Sequence, residues 1–136
     1  MRVFLDANVL FSAAKSNGAV REFLGLLLNA GHECWVDHYV VSEARRNLGA
    51  KDPETLPVLE TLLARFRICP VQVPGRAPAD VTWLPEKDRP VLAAAIRLRC
   101  EALVTGDHKH FGEGYGKVFG GVTIHSPRSL AESLFG

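Results

Sequence analysis

Short apolar runs of β-strand type alternate with helical patterns along this chain, and that alternation restricts the fold more than any other feature. The predicted strands cover residues 3–5, 33–36, 68–73, 102–105 and 122–124. Strands joined through helices pair in parallel, and the helices then cover both faces of the sheet. The sequence therefore predicts a three-layer α/β/α fold with a parallel sheet of about five strands.

The predicted helices are placed by apolar residues at helical spacing and by their start and stop signals. They run from Gly18 to a cap at Gly31, over 38–48, from Pro53 to Phe66, over 91–98 and over 127–135. Residues 74–85 and the Gly-rich stretch 111–121 are predicted to be loop or irregular structure. Pro70 favours an edge position for the third strand, because proline has no amide hydrogen for a neighbour.

Composition fits one ordinary domain over residues 1–136, with 47% hydrophobic and 23% charged residues and a formal net charge of +1. The net charge does not indicate a nucleic-acid-binding protein, although it leaves a local basic patch possible. The cysteines Cys34, Cys69 and Cys100 have no ligand spacing and are expected to be small buried residues of a reducing, cytoplasmic compartment. No secretory signal is evident, and no apolar run approaches the roughly 20 residues of a membrane helix.

Acidic residues recur where predicted strands end. Asp6 follows the first strand and Asp107 follows the fourth. Ligand sites of open α/β sheets lie beyond the carboxyl ends of the strands, so these carboxylates share a crevice if the two strands are neighbours. Glu43 and Asp88 stand near helix starts at the same edge, which allows four acids to converge on one rim.

Each acid alone also has an ordinary explanation. Asp88 and Asp107 can cap helices, Asp6 can accept hydrogen bonds in a turn, and Glu43 can lie on a solvated helix face. Together, four carboxylates in one cleft repel each other unless a cation offsets their charge. Oxygen ligands without a cysteine and histidine set favour Mg²⁺ or Mn²⁺ over Zn²⁺.

The chain resembles the PIN-domain ribonucleases, and most of all the VapC-like toxins of toxin–antitoxin pairs. The resemblance is carried, in the family's order and at similar spacing, by LDANVL at 5–10, Ser42-Glu43, DRPVLAAA at 88–95 and VTGD at 104–107. Each fragment is weak by itself, whereas the ordered set covers nearly the whole chain.

The resemblance implies a PIN-like sheet in the order 3-2-1-4-5, which places the first and fourth strands side by side. It implies an Mg²⁺- or Mn²⁺-dependent endoribonuclease that cuts RNA with metal-activated water. The implied metal-binding and catalytic set is Asp6, Glu43, Asp88 and Asp107. Asn8 and Thr105 match positions that support such a site. The implied partners are RNA and a cognate antitoxin. The apolar helices after Gly18 and Pro53 offer surface for a homodimer or for the antitoxin, although core packing explains most of it.

Basic residues flank the proposed acids and are candidate contacts to RNA phosphates. They are Lys87, Arg89, Arg46 and Lys109. Ordinary solvated charges are the simpler explanation, and among the four, Lys87 and Arg89 are the favoured contacts because they bracket Asp88. His108 and His110 invite a zinc interpretation, but no third ligand is spaced nearby.

Two other functions stay open at this point. A PIN-like domain can bind RNA or a protein without cutting, although the presence of all four acids argues against it. An Asp-dependent phosphotransferase usually carries a second aspartate two residues after the nucleophile, and that position is Asn8.

Overall fold

A computed structural model describes residues 1–71 and 78–136 and has one six-stranded sheet. The strands are β1 Arg2–Leu5, β2 Glu33–Asp37, β3 Arg67–Cys69, β4 Ala102–Val104, β5 Val118–Phe119 and β6 Val122–His125. Their order is β3-β2-β1-β4-β6-β5. All neighbouring pairs are parallel except β5 and β6, which are antiparallel. The predicted order is confirmed, with β6 in the place of the fifth strand.

Helices cover both faces of the sheet and make the three-layer architecture. They are α1 Ala7–Lys15, α2 Ala19–Asn29, α3 His38–Lys51, α4 Leu56–Leu63, α5 Arg89–Arg97, α6 His108–Phe111 and α7 Pro127–Phe135. Helix α1 packs against α2, α3 and α4. In the part of the chain that the structure describes, no helix is long and apolar enough to cross a membrane.

The two central strands, β1 and β4, lie in the middle of the core. Val3, Phe4 and Leu5 of β1 are completely buried, as are Leu103 and Val104 of β4. A strand that is apolar on both faces needs cover on both faces, which the two helix layers supply. Because these strands are buried, the polar residues that follow them, Asp6 after β1 and Thr105 after β4, lie together at the carboxyl edge of the sheet.

Helix α1 and strand β5 are the elements that the sequence patterns did not indicate. Helix α1 begins one residue after β1, and its buried Val9, Leu10 and Ala13 do stand at helical spacing. Strand β5 has two residues and lies inside the stretch predicted to be irregular. Its signal was the pair Gly120-Gly121, because two residues with positive φ make the tight turn of a hairpin.

The third strand is shorter than predicted, and Pro70 follows it at the sheet edge as expected. Val73, where the predicted strand ended, lies outside the described residues. Residues 78–85 form loop with a short 3-10 turn at Ala79–Val81. Cys34 and Cys100 are buried and Cys69 is half-buried, all three as free thiols.

Gly114 is required by the packing of Trp83, which stacks on Phe119 with ring centroids 4.9 Å apart. A β-carbon at Gly114 would stand 2.5 Å from Cη2 of Trp83. We expect Gly114→Ala to cost about 1–3 kcal/mol of unfolding free energy because the ring must shift. Urea unfolding measures this cost. Gly112→Ala is the control, since nothing lies within 4 Å of its β-carbon, and equal stability of the two variants would contradict the expectation.

Candidate metal centre

The candidate site lies where β1 and β4 end side by side. Leu5 is paired with Val104, and the next residue, Asp6, donates its backbone N–H to the Val104 carbonyl at 3.0 Å. The parallel pairing therefore brings Asp6 to the turn that carries Asp107. The expectation that the first and fourth strands are neighbours is confirmed.

Asp6 is buried and accepts three hydrogen bonds. Its Oδ1 accepts from the backbone N–H of Ala7 at 2.8 Å and so caps α1. Its Oδ2 accepts from Thr105 Oγ1 at 2.8 Å and from Asn8 Nδ2 at 3.0 Å. A carboxylate offers about four acceptor positions, so one stays open for a further ligand.

Asn8 and Thr105 join the ends of the two strands. Asn8 Oδ1 accepts from the backbone N–H of Gly106 at 2.8 Å, and Asn8 Nδ2 donates to Thr105 Oγ1 at 3.3 Å. Thr105 Oγ1 also accepts from the backbone N–H of Asp107 at 3.1 Å. The two residues thus connect the carboxylate of Asp6 to the backbone of Gly106 and Asp107.

Burial raises the pKa of Asp6 to about 6, which is the largest effect on that group. The hydrogen bonds from Thr105 and Ala7 act in the opposite direction, because they favour the ionised form. The negative charges of Glu43 and Asp88 add to the rise. Glu43 and Asp88 therefore lie within electrostatic range of Asp6.

Asp88, Asp107 and His110 form the tightest part of the site, with one ligand atom of each within 4.8 Å of the others. His110 Nδ1 lies 2.8 Å from Asp107 Oδ2 and 3.0 Å from Asp88 Oδ2. Asp88 Oδ2 is buried without a hydrogen-bond partner among the described residues. Burial raises the pKa of Asp88, while His110 and Lys87 lower it.

Glu43 approaches the site from the second turn of α3 and is half-buried. On the same helix, the Tyr39 hydroxyl donates to the Lys87 carbonyl at 2.8 Å, which ties α3 to the turn before Asp88. The pKa of Tyr39 is raised by burial first and then by Glu43, Asp88 and Asp6. All four predicted acids thus face a common region, although Asp6 and Glu43 stand outside the tight group.

The donor set fits a hard or borderline divalent cation. Carboxylate oxygens dominate it, and the buried Asp88 Oδ2 has no hydrogen-bond donor in the described part of the chain. His110 Nδ1 lies 3.0 Å from this oxygen but not as a hydrogen-bond partner, and a buried carboxylate oxygen without a hydrogen bond is costly unless a charge such as a cation offsets it.

A family model for the PIN domain matches residues 2–109, which is most of the chain. The chain belongs to the PIN-domain family. A comparison with curated proteins found no match.

Solved structures share this PIN fold at low sequence identity. A chain of DNA-bound VapBC from Salmonella typhimurium has 15% identity and a TM-score of 0.67, with 93% of this chain and 98% of that chain covered. A chain of VapBC2 from Rickettsia felis, bound to a promoter DNA fragment, has 17% identity, a TM-score of 0.66 and the same coverage. VapC20 from Mycobacterium tuberculosis, a sarcin-ricin loop cleaving toxin, has 12% identity, a TM-score of 0.56 and coverage of 86% and 98%.

The basic residues predicted to contact RNA are placed in two different ways around the PIN-domain site. Arg46, Lys87 and Lys109 are exposed. Arg89 donates from its guanidinium to the Leu84 carbonyl at 2.9 Å and to the Thr82 carbonyl at 3.1 Å. Arg89 thus holds the loop before α5 in this conformation, and the three exposed residues are the freer candidates for phosphate.

His110 joins the site in a way that the sequence analysis did not expect. The histidine pair suggested a zinc site that lacked a third ligand, yet the structure separates the pair. His108 is exposed and packs edge-on against Tyr115, with ring centroids 5.2 Å apart. His110 turns into the site because it stands three residues after Asp107, one helical turn along α6.

Proposed function

We propose that this PIN-domain protein is a divalent-metal-dependent endoribonuclease that hydrolyses RNA phosphodiester bonds. The observation that carries the proposal is the group of Asp88, Asp107 and His110, in which the buried Asp88 Oδ2 has no hydrogen-bond partner among the described residues. A bound Mg²⁺ or Mn²⁺ would supply a water of lowered pKa and would offset negative charge on the phosphoryl group.

The side chains have separate roles in this proposal. Asp6, Asp88 and Asp107 hold the cation, and Glu43 either completes its ligands or orients the attacking water. Asn8 and Thr105 act through Asp6 and Asp107, whose positions they fix by hydrogen bonds. Three exposed basic residues bind RNA phosphates: Lys87, Arg46 and Lys109. Arg89 is a weaker candidate because its guanidinium already donates to two carbonyls of its own loop.

We further propose that the protein is the cytoplasmic toxin of a type II toxin–antitoxin pair and forms a homodimer. The VapBC names of its structural neighbours support an antitoxin partner. The free thiols are compatible with a reducing compartment. Leu26 on α2 and Phe135 on α7 are more than two-fifths exposed, and these two helices contact each other, so they offer apolar surface to a protein partner.

Metal-dependent cleavage by the wild-type protein tests the nuclease proposal. We expect total RNA to be cut with Mn²⁺ and to stay intact with EDTA. Thermal unfolding should show the same metal dependence, because a ligand at ten times its dissociation constant adds about 1.4 kcal/mol. Metal stabilisation with RNA binding but no cleavage would favour a non-cutting binding module, and no stabilisation at millimolar Mn²⁺ would contradict a metal site.

A further inference from the structure

Given the metal-dependent function proposed above, we propose that His110 binds the cation directly through Nδ1, together with Asp88 and Asp107. This nitrogen would bias the site toward a transition-metal ion such as Mn²⁺ over Mg²⁺. His110 is additional to the four acids that the family resemblance supplies. It is assigned here from its position in this chain.

The distances from His110 Nδ1 to the two carboxylates match those between neighbouring ligands of a cation. His110 Nδ1 lies 2.8 Å from Asp107 Oδ2 and 3.0 Å from Asp88 Oδ2. Adjacent ligands of an octahedral ion with bonds of about 2.1 Å stand about 3.0 Å apart. The ring nitrogen therefore already occupies a position at ligand distance from both carboxylates.

Hydrogen bonding alone leaves this group unsatisfied. A hydrogen on Nδ1 would serve one acceptor well, and the contact of this nitrogen with Asp107 Oδ2 has hydrogen-bond geometry. Asp88 Oδ2 stays buried without a hydrogen-bond partner in the residues that the structure describes, despite its short distance to the ring. A cation in contact with all three atoms satisfies both carboxylates at once. The imidazole would then carry its hydrogen on Nε2 and offer the Nδ1 lone pair.

The local structure holds His110 in this position from two sides. Asp107 caps α6, and its Oδ1 accepts the backbone N–H of His110 at 3.1 Å. The next residue, Phe111, is completely buried and packs edge-on against Trp83 at 6.4 Å. The His110 side chain is 23% exposed, which leaves it accessible to an ion from solvent.

An imidazole in the ligand set changes which ions bind best. Mg²⁺ is bound through oxygen, whereas first-row transition ions accept nitrogen readily. Affinity for a mixed nitrogen and oxygen site rises from Mn²⁺ to Co²⁺. We therefore expect binding affinity to increase in the order Mg²⁺, Mn²⁺, Co²⁺. Removal of the imidazole should reduce the differences in affinity among these ions.

Pulsed EPR of Mn²⁺ bound to the intact protein tests the assignment without any variant. A directly bound imidazole produces a ¹⁴N coupling in the echo modulation, which we expect in the wild type and in His108→Ala. His108 is the matched control because it is a neighbouring histidine that is exposed and outside the group. The coupling should vanish in His110→Ala and His110→Asn. Their Mn²⁺ dissociation constants should rise at least about tenfold, and their Mg²⁺ constants by clearly less.

Three results would overturn the assignment. Mn²⁺ bound to the wild type without ¹⁴N coupling, a coupling that persists in both His110 variants, or an unchanged Mn²⁺ affinity in those variants would leave His110 as a hydrogen-bond partner of Asp107. Each of these would leave the metal-dependent function standing. Absence of Mn²⁺ binding by the wild type would instead overturn both proposals. Thermal unfolding of each variant identifies any loss of folding.

Discussion

Asp6→Asn should abolish RNA cleavage in a protein that still folds. Asparagine keeps the ability to cap α1 but carries no charge for a cation. Loss of several kcal/mol of transition-state stabilisation corresponds to a rate lower by at least about 10²–10³-fold. The measurement is cleavage of RNA at saturating Mn²⁺. Asp80→Asn makes the same change at an exposed aspartate outside the site and should cut normally.

The same substitution should also change how stability depends on pH. The Asp6 carboxyl has a pKa of about 6 in the folded protein against 3.8 for the ordinary group. Between these values the folded state binds the proton and the unfolded state does not, so this group stabilises the protein in acid and loses that contribution as pH rises through 6. In metal-free buffer, the contribution at pH 4.5 exceeds that at pH 7 by about 2 kcal/mol.

Urea unfolding of both proteins at the two pH values isolates this effect, because other titrating groups are common to both. At pH 7 the lost charge and the lost hydrogen bonds of Asp6 offset each other, so the two proteins should have similar stability. At pH 4.5 the wild type should be the more stable. Parallel pH profiles would show that Asp6 ionises as an ordinary aspartate, and retained cleavage would remove it from the metal site.

Thr105→Val is expected to weaken both the fold and the site. The Thr105 hydroxyl is completely buried, donates to Asp6 Oδ2 and accepts from the Asp107 backbone. Valine has the same shape and lacks these bonds, which costs about 1–3 kcal/mol. The pKa of Asp6 should rise further because the Thr105 bond lowers it. Metal affinity should fall about 10–100-fold, as for other residues that orient metal ligands.

Thr105→Ser is the matched control, since it keeps the hydroxyl and removes a methyl group. Urea unfolding and an Mn²⁺ titration of both variants separate the two contributions. Serine should retain most of the metal affinity and valine should not. Equal loss of metal affinity in both variants would contradict the role given to the hydroxyl, because serine keeps the hydroxyl and valine keeps the methyl group.

Much of the fold could be predicted because buried parallel strands leave a plain apolar signature. The position of Asp6 and Asp107 followed from the rule that such strands present ligand sites at their carboxyl ends. Helix α1 was missed because one residue connects it to β1, so the strand and helix patterns run together. Strand β5 is too short for a periodic pattern, and only its glycine pair indicated a turn.

The site was less predictable than the fold because the spacing of residues along the chain does not show which distant side chains meet in the folded protein. His110 has no sequence relation to Asp88, which lies in the turn before α5, yet the two side chains meet at 3.0 Å. The hydrogen bonds from Arg89 to its own loop could not be predicted either. In the sequence, a basic residue beside an acid suggested a phosphate contact instead.

The bond from Gly106 to Asn8 spans 98 positions of the chain, and this separation dictates when the site can assemble. During synthesis the ribosome makes about 5–20 residues per second, so Asp6 waits on the order of 5–20 s before its partners exist. Until β4 is made and pairs with β1, Asp6 lacks the donor of Thr105 and the cover that raises its pKa. Closing so long a loop is entropically costly and is repaid only by the packed sheet. A chain that ends before Thr105 therefore cannot assemble the candidate metal centre, because Thr105 and Asp107 are still missing.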